Sequence, residues 1–416
     1  MAGKSLTVLA QQVFYGMQSG TFAVSRVGGG KREEPIVRLV NEIIELGLNM
    51  RASDIHIEPM ENFVRLRFRV DGILNQWNET FNHEVHKKIV ARIKVMAGMD
   101  TTVRHLPADG HIDYKSIRGK IDIRVASIPT KYGETVVVRL LNAAERLMKL
   151  DELEFLGNNF DKFKGLIRRP NGMVIVTGPM NSGKTTTIYA ALQELNSADR
   201  DIATVEDPVE LILEGVNQTE VSAKLDFPAG LRALLRMDCD TLLIGEIRDE
   251  LTAQIAVRAA LTGHQIFTTL HAGDCVGAIF RLLDMNIPAY QIAATVSGIV
   301  AQRLVRRLCP HCREEYFPEE NSEDAVLLRG ENAVGQKFYR AVGCDECCGT
   351  GYSGRIALHE VLILDEDLRR KILAKDCTAD SLRECVKENT LRRDGISKAA
   401  AGLTDLSEVR RVIYER

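Results

Sequence analysis

The sequence predicts an α/β protein of several domains, in which a buried, mostly parallel sheet follows an α+β domain and precedes a cysteine-bearing segment and C-terminal helices. Three observations carry this reading. Four short apolar runs, MVIVTG, DIATVED, TLLIGE and QIFTTLHA, alternate with helical patterns after about Met148, as in sheets covered on both faces. Before them, Val64, Leu66, Phe68 and Val70 alternate with Arg65, Arg67 and Arg69, the period of a strand with one wet face. After them come two Cys-x-x-Cys pairs. A length of 416 residues suits about two or three domains.

Residues 1–34 join a weakly apolar start to Gly28, Gly29 and Gly30 and a charged stretch from Lys31 to Glu34, which reads as a flexible arm or linker. Pro35 suits a first helical position, and Ile36, Val37, Leu39, Val40, Ile43, Ile44 and Leu46 keep helical spacing up to Gly47. The arginine-alternating strand, its arginines read as facing water, ends in Asp71-Gly72, the turn of a hairpin. A helix from His83 to about Gly98 and the segments HIDYKSI, KIDIRVASI and ETVVVRLL complete an α+β domain over 35–145. The α/β core is expected over 148–305, a cysteine module over 306–356 and a helical region over 357–416.

Composition narrows the function classes. With 45% apolar and 27% charged residues the chain is neither disordered nor fibrous. Its 54 basic and 57 acidic residues give a net charge of −3, which is not the balance of a general nucleic-acid binder. No apolar run reaches the roughly 18 residues of a membrane span, and glutamines interrupt MAGKSLTVLAQQVFYG before an export-signal core develops. The expectation is a soluble, cytoplasmic chain whose nine cysteines serve metal or thiol chemistry rather than a disulfide framework.

Gly178, Pro179, Met180, Asn181, Ser182, Gly183, Lys184 and Thr185 form G-x-x-x-x-G-K-T between an apolar strand and the helical stretch TTIYAALQEL. In that order, backbone N–H groups and a helix N-terminus face phosphate oxygens, Lys184 reaches the terminal phosphates of ATP, and the Thr185 hydroxyl ligates Mg²⁺. Thr186 completes the predicted binding set. Asn181 stands where such loops often have glycine, and asparagine tolerates left-handed dihedrals. A second strand, Thr241 to Ile244, runs into Gly245 and Glu246, placing an acid at the sheet edge where Mg²⁺ or water needs one.

Cys309-Pro-His-Cys312 and Cys344-Asp-Glu-Cys347 can present four thiolates in tetrahedral geometry, the set structural Zn²⁺ prefers. Spacing favours Cys347 over Cys348 as the fourth ligand, and His311 reads as a bystander. Cys239, Cys275, Cys377 and Cys385 read as ordinary thiols.

Taken together, SDIHIEP (53–59), RFRVDG (67–72), the glycine loop (178–185), TVEDPVE (204–210), LIGEIRD (243–249), TGH (262–264), TTLHA (268–272) and the cysteine pairs resemble the ATPases of type II secretion and type IV pilus assembly, the GspE/PilB group, over about residues 35–416. The resemblance implies a RecA-like P-loop core, preceded by a PAS-like α+β domain and followed by a four-cysteine zinc module. It implies a homohexameric, Mg²⁺-dependent ATP hydrolase at the cytoplasmic side of the inner membrane. Its partners would be a membrane-anchored recruitment protein, an inner-membrane platform protein and, indirectly, pilins or pseudopilins. Longer members carry an N-terminal docking domain, where this chain has residues 1–34 before the core.

The resemblance also assigns roles: Glu206 to orient or deprotonate the attacking water, Glu246 beside the metal, and His271 to sense the γ-phosphate. Arg124 and Arg139, from the preceding domain, would reach toward that phosphate, making hydrolysis depend on closure. Either Glu206 or Glu246 could serve as the base. His105 and His111 occupy positions where arginines are expected. Assembly ATPases of the group commonly carry the cysteine module and retraction relatives lack it, so extension is favoured over retraction or conjugation-type secretion. A nucleic-acid translocase, resting on the basic stretch Arg303 to Arg307, and a non-hydrolysing scaffold are the remaining alternatives.

Overall fold

Alternation builds the first part of the chain, and continuous burial builds the second. The computed structural model describes residues 6, 8–11, 13, 34–116, 119–141, 147–331, 335–387 and 390–414, in two units, Met1–Arg146 and Leu147–Arg416.

In the first unit, α1 (Pro35–Asn49), β1 (Ala52–Pro59), β2 (Val64–Val70), β3 (Ile73–Phe81), α2 (His83–Met96), β4 (Ala108–Ser116), β5 (Gly119–Thr130) and β6 (Gly133–Leu141) follow one another. The strands form one antiparallel sheet of order β3-β2-β1-β6-β5-β4. Asp71 and Gly72 both take positive φ, 50° and 87°, as a two-residue hairpin turn requires. The Asn82 side chain caps α2 by accepting from the Val85 amide at 2.8 Å. Leu39, Val40, Ile43 and Ile44 of α1 and Val85, Ile89 and Ile93 of α2 share an apolar cluster with Ile55, Ile57, Leu66, Phe68, Val125 and Val138 of the strands.

Two expectations change here. The predicted flexible arm is described only at residues 6, 8–11, 13 and 34, and 14–33 lie outside the described residues. Residues 6, 8–11 and 13 are helical, and Leu6, Leu9, Ala10 and Val13 are buried in the same cluster. Their i, i+3, i+4, i+7 spacing is that of an apolar helix stripe, so this segment contributes core. The arginines of β2 are only partly exposed. Arg65 and Arg67 each donate from Nε to Glu58 at 2.9 Å, and Arg69 lies 3.6 Å from Asp54, because both acids are buried on the neighbouring β1.

The second unit opens with a 3-10 turn (Leu150–Leu153) and α3 (Asn158–Ile167), β7 (Gly172–Thr177), α4 (Lys184–Leu195), β8 (Ile202–Glu206), β9 (Asn217–Glu220) and α5 (Phe227–Leu234). It continues with β10 (Thr241–Ile244), α6 (Glu250–Leu261), β11 (Gln265–Leu270), α7 (Cys275–Asp284), α8 (Ala289–Thr295) and β12 (Val296–Leu308). β13 (Glu314–Tyr316), α9 (Glu323–Leu327), β14 (Phe338–Arg340), β15 (Tyr352–Ile363), α10 (Glu366–Leu373), α11 (Ala379–Arg383), α12 (Leu391–Ala400) and α13 (Leu406–Tyr414) complete it.

Its sheet has the order β15-β12-β7-β11-β10-β8-β9, parallel from β12 to β9, with β15 antiparallel on β12. Successive side chains of β7 leave on opposite faces. Met173 and Ile175 join a cluster with α5, α6 and α7, while Val174 and Val176 join one with α3 and α4. Burial on both faces explains the unbroken apolar runs, and each fully buried Val or Ile stabilises the fold by about 1.5–3 kcal/mol. The expected boundaries at 305/306 and 356/357 fall inside β12 and β15. The C-terminal segments are continuous with the sheet, because β12 and β15 pair from Gly298↔Ile363 to Leu308↔Tyr352.

Candidate functional site

The glycine loop leaves β7 at its C-terminal end and closes on the first turn of α4. A Cβ at Gly178 would stand 2.5 Å from both the Gln302 carbonyl oxygen and Ser182 Oγ. Gly183 has φ 84°, and a Cβ there would stand 2.8 Å from Gln302 Nε2. Only glycine meets both demands. Asn181 takes φ 60°, the left-handed geometry expected of it. Pro179, Met180, Asn181 and Thr186 are exposed, Thr185 is half-buried, and Ser182 is buried. The Ser182 Oγ has no hydrogen-bond partner among the described residues. Lys184 donates from Nζ to the Gly178 and Pro179 carbonyls at 3.0 and 2.8 Å. Burial lowers its pKa, and the nearby Glu246 carboxylate opposes that shift. A cradle too tight for a Cβ, a buried orphan hydroxyl, a helix N-terminus and an ammonium form a donor set that fits phosphate.

The acids stand at the ends of neighbouring strands. Glu206 closes β8 and is 3% exposed. Thr204 Oγ1 and Gln218 Nε2 donate to its Oε1 at 2.5 and 3.2 Å, and the Tyr189 hydroxyl donates to its Oε2. Burial, followed by this carboxylate, pushes the Tyr189 phenol well above its ordinary pKa, so the hydroxyl keeps its proton. Gly245 lets the strands close up, since a Cβ there would be 3.2 Å from Glu206 Cα. Glu246 is paired with Arg248 and lies 3.4 Å from His271 Nε2. Arg248 also approaches Asp207 at 3.7 Å. The structure thus brings Lys184, Glu246 and His271 to one edge of the sheet, with Glu206 beside Gly245. Arg124 and Arg139 belong to the first unit, where they are cross-strand partners and Arg139 Nε donates to Asp54 at 3.1 Å.

Motif reading missed the residues that hold these groups. Tyr189 and Gln218 fix Glu206, and Gln302 supports the loop. Arg303 donates to the Gly273 carbonyl at 2.7 Å, two residues past His271. The only sequence signal for Gln302 is a polar residue inside the apolar run GIVAQRLV.

A second centre lies in the C-terminal segments. The Sγ atoms of Cys309, Cys312, Cys344 and Cys347 all lie within 4.8 Å of one another. Cys348 is exposed with φ 53° and lies outside the group, as does the exposed His311. Amides of Cys344 and Gly351 donate to Cys347 Sγ at 3.2 and 3.1 Å. Burial acts against them, yet these donors hold the Cys347 thiol down at about 6, while burial and its sulfur neighbours push the Cys312 thiol up to about 11. Four convergent thiols with amide-supported knuckles fit a tetrahedral metal ion.

The chain matches the family described as type II/IV secretion system protein over residues 30–411. It is 42% identical over 387 residues to the type II secretion system ATPase E of Vibrio cholerae, covering 92% of this chain and 76% of that protein. It is 39% identical over 382 residues to the type IV pilus assembly ATPase PilB of Thermus thermophilus, covering 91% of this chain and 43% of that one. Among solved structures, the ATPase DotB of Legionella pneumophila aligns with a TM-score of 0.69 at 22% identity, covering 93% of this chain and 98% of that chain. The pilus retraction motor PilT with bound ADP aligns with a TM-score of 0.58 at 23% identity, over 89% and 96% respectively. These two speak to the fold alone, whereas the sequence matches reach the whole site, and by them the chain belongs to the type II/IV secretion ATPase family, in the GspE/PilB group.

Proposed function

We propose that this chain is a Mg²⁺-dependent ATP hydrolase, the hexameric motor that drives assembly of a type IV pilus or a type II secretion pseudopilus. The observation that carries this reading is the convergence of the 178–185 loop, Glu246 and His271 at the C-terminal edge of one parallel sheet, with Glu206 on the adjoining strand. The strand order supports a RecA-like core, with β11 between the loop strand β7 and the acid strand β10. The antiparallel first unit is read as the PAS-like domain that supplies Arg124 and Arg139.

Phosphoryl transfer asks the protein for positioning and charge stabilisation. The loop amides and the N-terminus of α4 hold the phosphates, and Lys184 exchanges its loop carbonyls for phosphate oxygens. Thr185, with Glu246 nearby, would hold Mg²⁺, which when bound neutralises charge on the β- and γ-phosphates. Glu206, fixed by Tyr189, Thr204 and Gln218, orients the attacking water. His271 shares Glu246 with Arg248 and reports on the γ-phosphate. The four thiols would hold one Zn²⁺ in a structural role, and the presence of that module favours extension over retraction.

No described helix is long and apolar enough to cross a membrane, consistent with recruitment to the inner membrane through anchored partners, the recruitment and platform proteins. Lys184→Ala tests the reading. ATP turnover by the purified chain should fall to background while its melting temperature holds, and normal turnover in that variant rejects the reading.

A further inference from the structure

We propose that Gln302 is the positioning residue of the phosphate loop: its side-chain amide turns the Ser182–Gly183 peptide so that the Gly183 N–H faces the phosphate. The inference rests on the reading that this loop binds the phosphates of ATP.

β12 runs parallel to β7, and their pairing ends at Ala301↔Thr177. Gln302 is therefore the first residue of β12 to lie beneath the loop rather than beside the strand. Its side chain is 2% exposed and both ends of the amide are engaged. Nε2 donates to the Ser182 carbonyl at 2.8 Å, and Oε1 accepts from Thr187 Oγ1 at 2.7 Å. The amide orientation is dictated by chemistry. A carbonyl only accepts, so the NH₂ end must face Ser182, and the Thr187 hydroxyl then serves as donor to the other end.

The consequence follows from peptide geometry. In a planar trans peptide the C=O and N–H point in opposite directions, and Asp207-Pro208 is the one cis bond among the described residues. Drawing the Ser182 oxygen inward onto Gln302 therefore turns the Gly183 N–H outward, into the mouth of the loop. The close approach also explains the glycine, since any Cβ at 183 would meet the Gln302 amide at 2.8 Å. Thr187 is fully buried on the first turn of α4, so one side chain ties strand, loop and helix together. Glutamate could accept from Thr187 but could not donate to Ser182. Leucine would do neither, and asparagine is one carbon short.

The test is equilibrium binding of a fluorescent ADP analogue with Mg²⁺ to the full chain, with thermal melting and steady-state turnover of the same samples. Gln302→Leu and Gln302→Glu should each weaken binding about tenfold or more, with KM rising and turnover at saturation within about threefold, while the buried groups left unpaired lower the melting temperature by a few degrees. Thr187→Val, which keeps the bond to Ser182, should change affinity less than about threefold. Lys184→Ala serves as the reference. If it loses nucleotide while Gln302→Leu binds like the parent, the loop binds phosphate and the positioning role is overturned. If Gln302→Leu instead lowers melting temperature and turnover together at unchanged affinity, the residue is structural and the proposal falls. If Lys184→Ala binds normally, the phosphate-site reading fails and this proposal with it.

Discussion

The phosphate loop and the cysteine knuckles are two versions of one device, a glycine-rich turn that gathers backbone N–H groups around negative charge. In the knuckles the acceptor belongs to the chain, since amides of Gly343, Cys344 and Gly351 donate to sulfurs of Cys312 and Cys347. In the loop the carbonyl of Ser182 is tied to Gln302, which leaves the amide side of the turn for a ligand that comes and goes. β12 joins the two places, running from Gln302 beneath the loop to Leu308 beside Cys309. Amides spent on the chain's own sulfur yield stability, whereas amides kept for phosphate yield binding. Damage to the knuckles should therefore register as lost fold, and damage to the loop as lost affinity in an intact fold.

The largest expected effect tests the knuckle side. Cys344→Ser with Cys347→Ser removes two of the four clustered thiols, which bracket the segment whose Leu327 and Phe338 pack with Leu406 and Val409. Metal content should fall from about one Zn²⁺ per chain to none, and the melting temperature by roughly 10 °C. Elemental analysis and calorimetry read both, and freshly purified parent protein without metal would falsify the zinc assignment. Lys184→Ala, by contrast, should leave the melting curve where it was.

A smaller and more direct comparison places one methyl group in each turn. Gly343 has φ 114°, and a Cβ there would stand 2.5 Å from the Gly349 carbonyl. Gly343→Ala should lower stability by about 2–3 kcal/mol. Gly178→Ala meets the Gln302 carbonyl at the same 2.5 Å. It should displace the loop, weaken nucleotide about tenfold and shift the melting temperature by a degree or two. Denaturant melts paired with nucleotide titrations separate the outcomes. If Gly178→Ala unfolds as readily as Gly343→Ala, the loop is as structural as the knuckle and the contrast collapses.

How much was legible in the sequence divides along the same line. Lys184, Thr185, Glu246 and the four cysteines stand out in the sequence because the chemistry proposed for them demands those residue types at fixed local spacing, and the four thiols do converge. Gln302 does not stand out. Its partners lie 120 and 115 residues away in the chain, and one polar residue in an apolar strand has no spacing to betray it. Arg65, Arg67 and Arg69 were placed on the correct face of β2, but acids on the adjacent strand draw them partly out of water. The helical stripe of Leu6, Leu9, Ala10 and Val13 was present in the sequence and was masked by the glycines that follow. The expected boundaries at 305/306 and 356/357 follow the change of composition where the cysteines begin, and they fall inside β12 and β15 because the sheet runs on through that change. β15 returns to pair with β12 after the whole cysteine segment has intervened.

Glu206 sharpens the contrast because it belongs to both kinds. Like the knuckle sulfurs it takes donors from the chain, here Tyr189, Thr204 and Gln218, and like the loop it is proposed to serve a reaction rather than the fold. Tyr189→Phe removes one donor and leaves Thr204 and Gln218 on the other oxygen, so the carboxylate stays buried and acceptor-only but gains freedom to rotate. Losing a single hydrogen bond of this type should cost stability about 1 kcal/mol, and turnover should fall about threefold to tenfold with KM for ATP unchanged, because orientation toward water matters only as the γ-phosphate leaves. Steady-state kinetics beside a denaturant melt decide between the two roles. A drop in stability with full kcat would class Tyr189 with the knuckle amides, as packing for a buried charge. A fall in kcat at unchanged KM, alongside the loss of about 1 kcal/mol, would make it a group that aims the carboxylate.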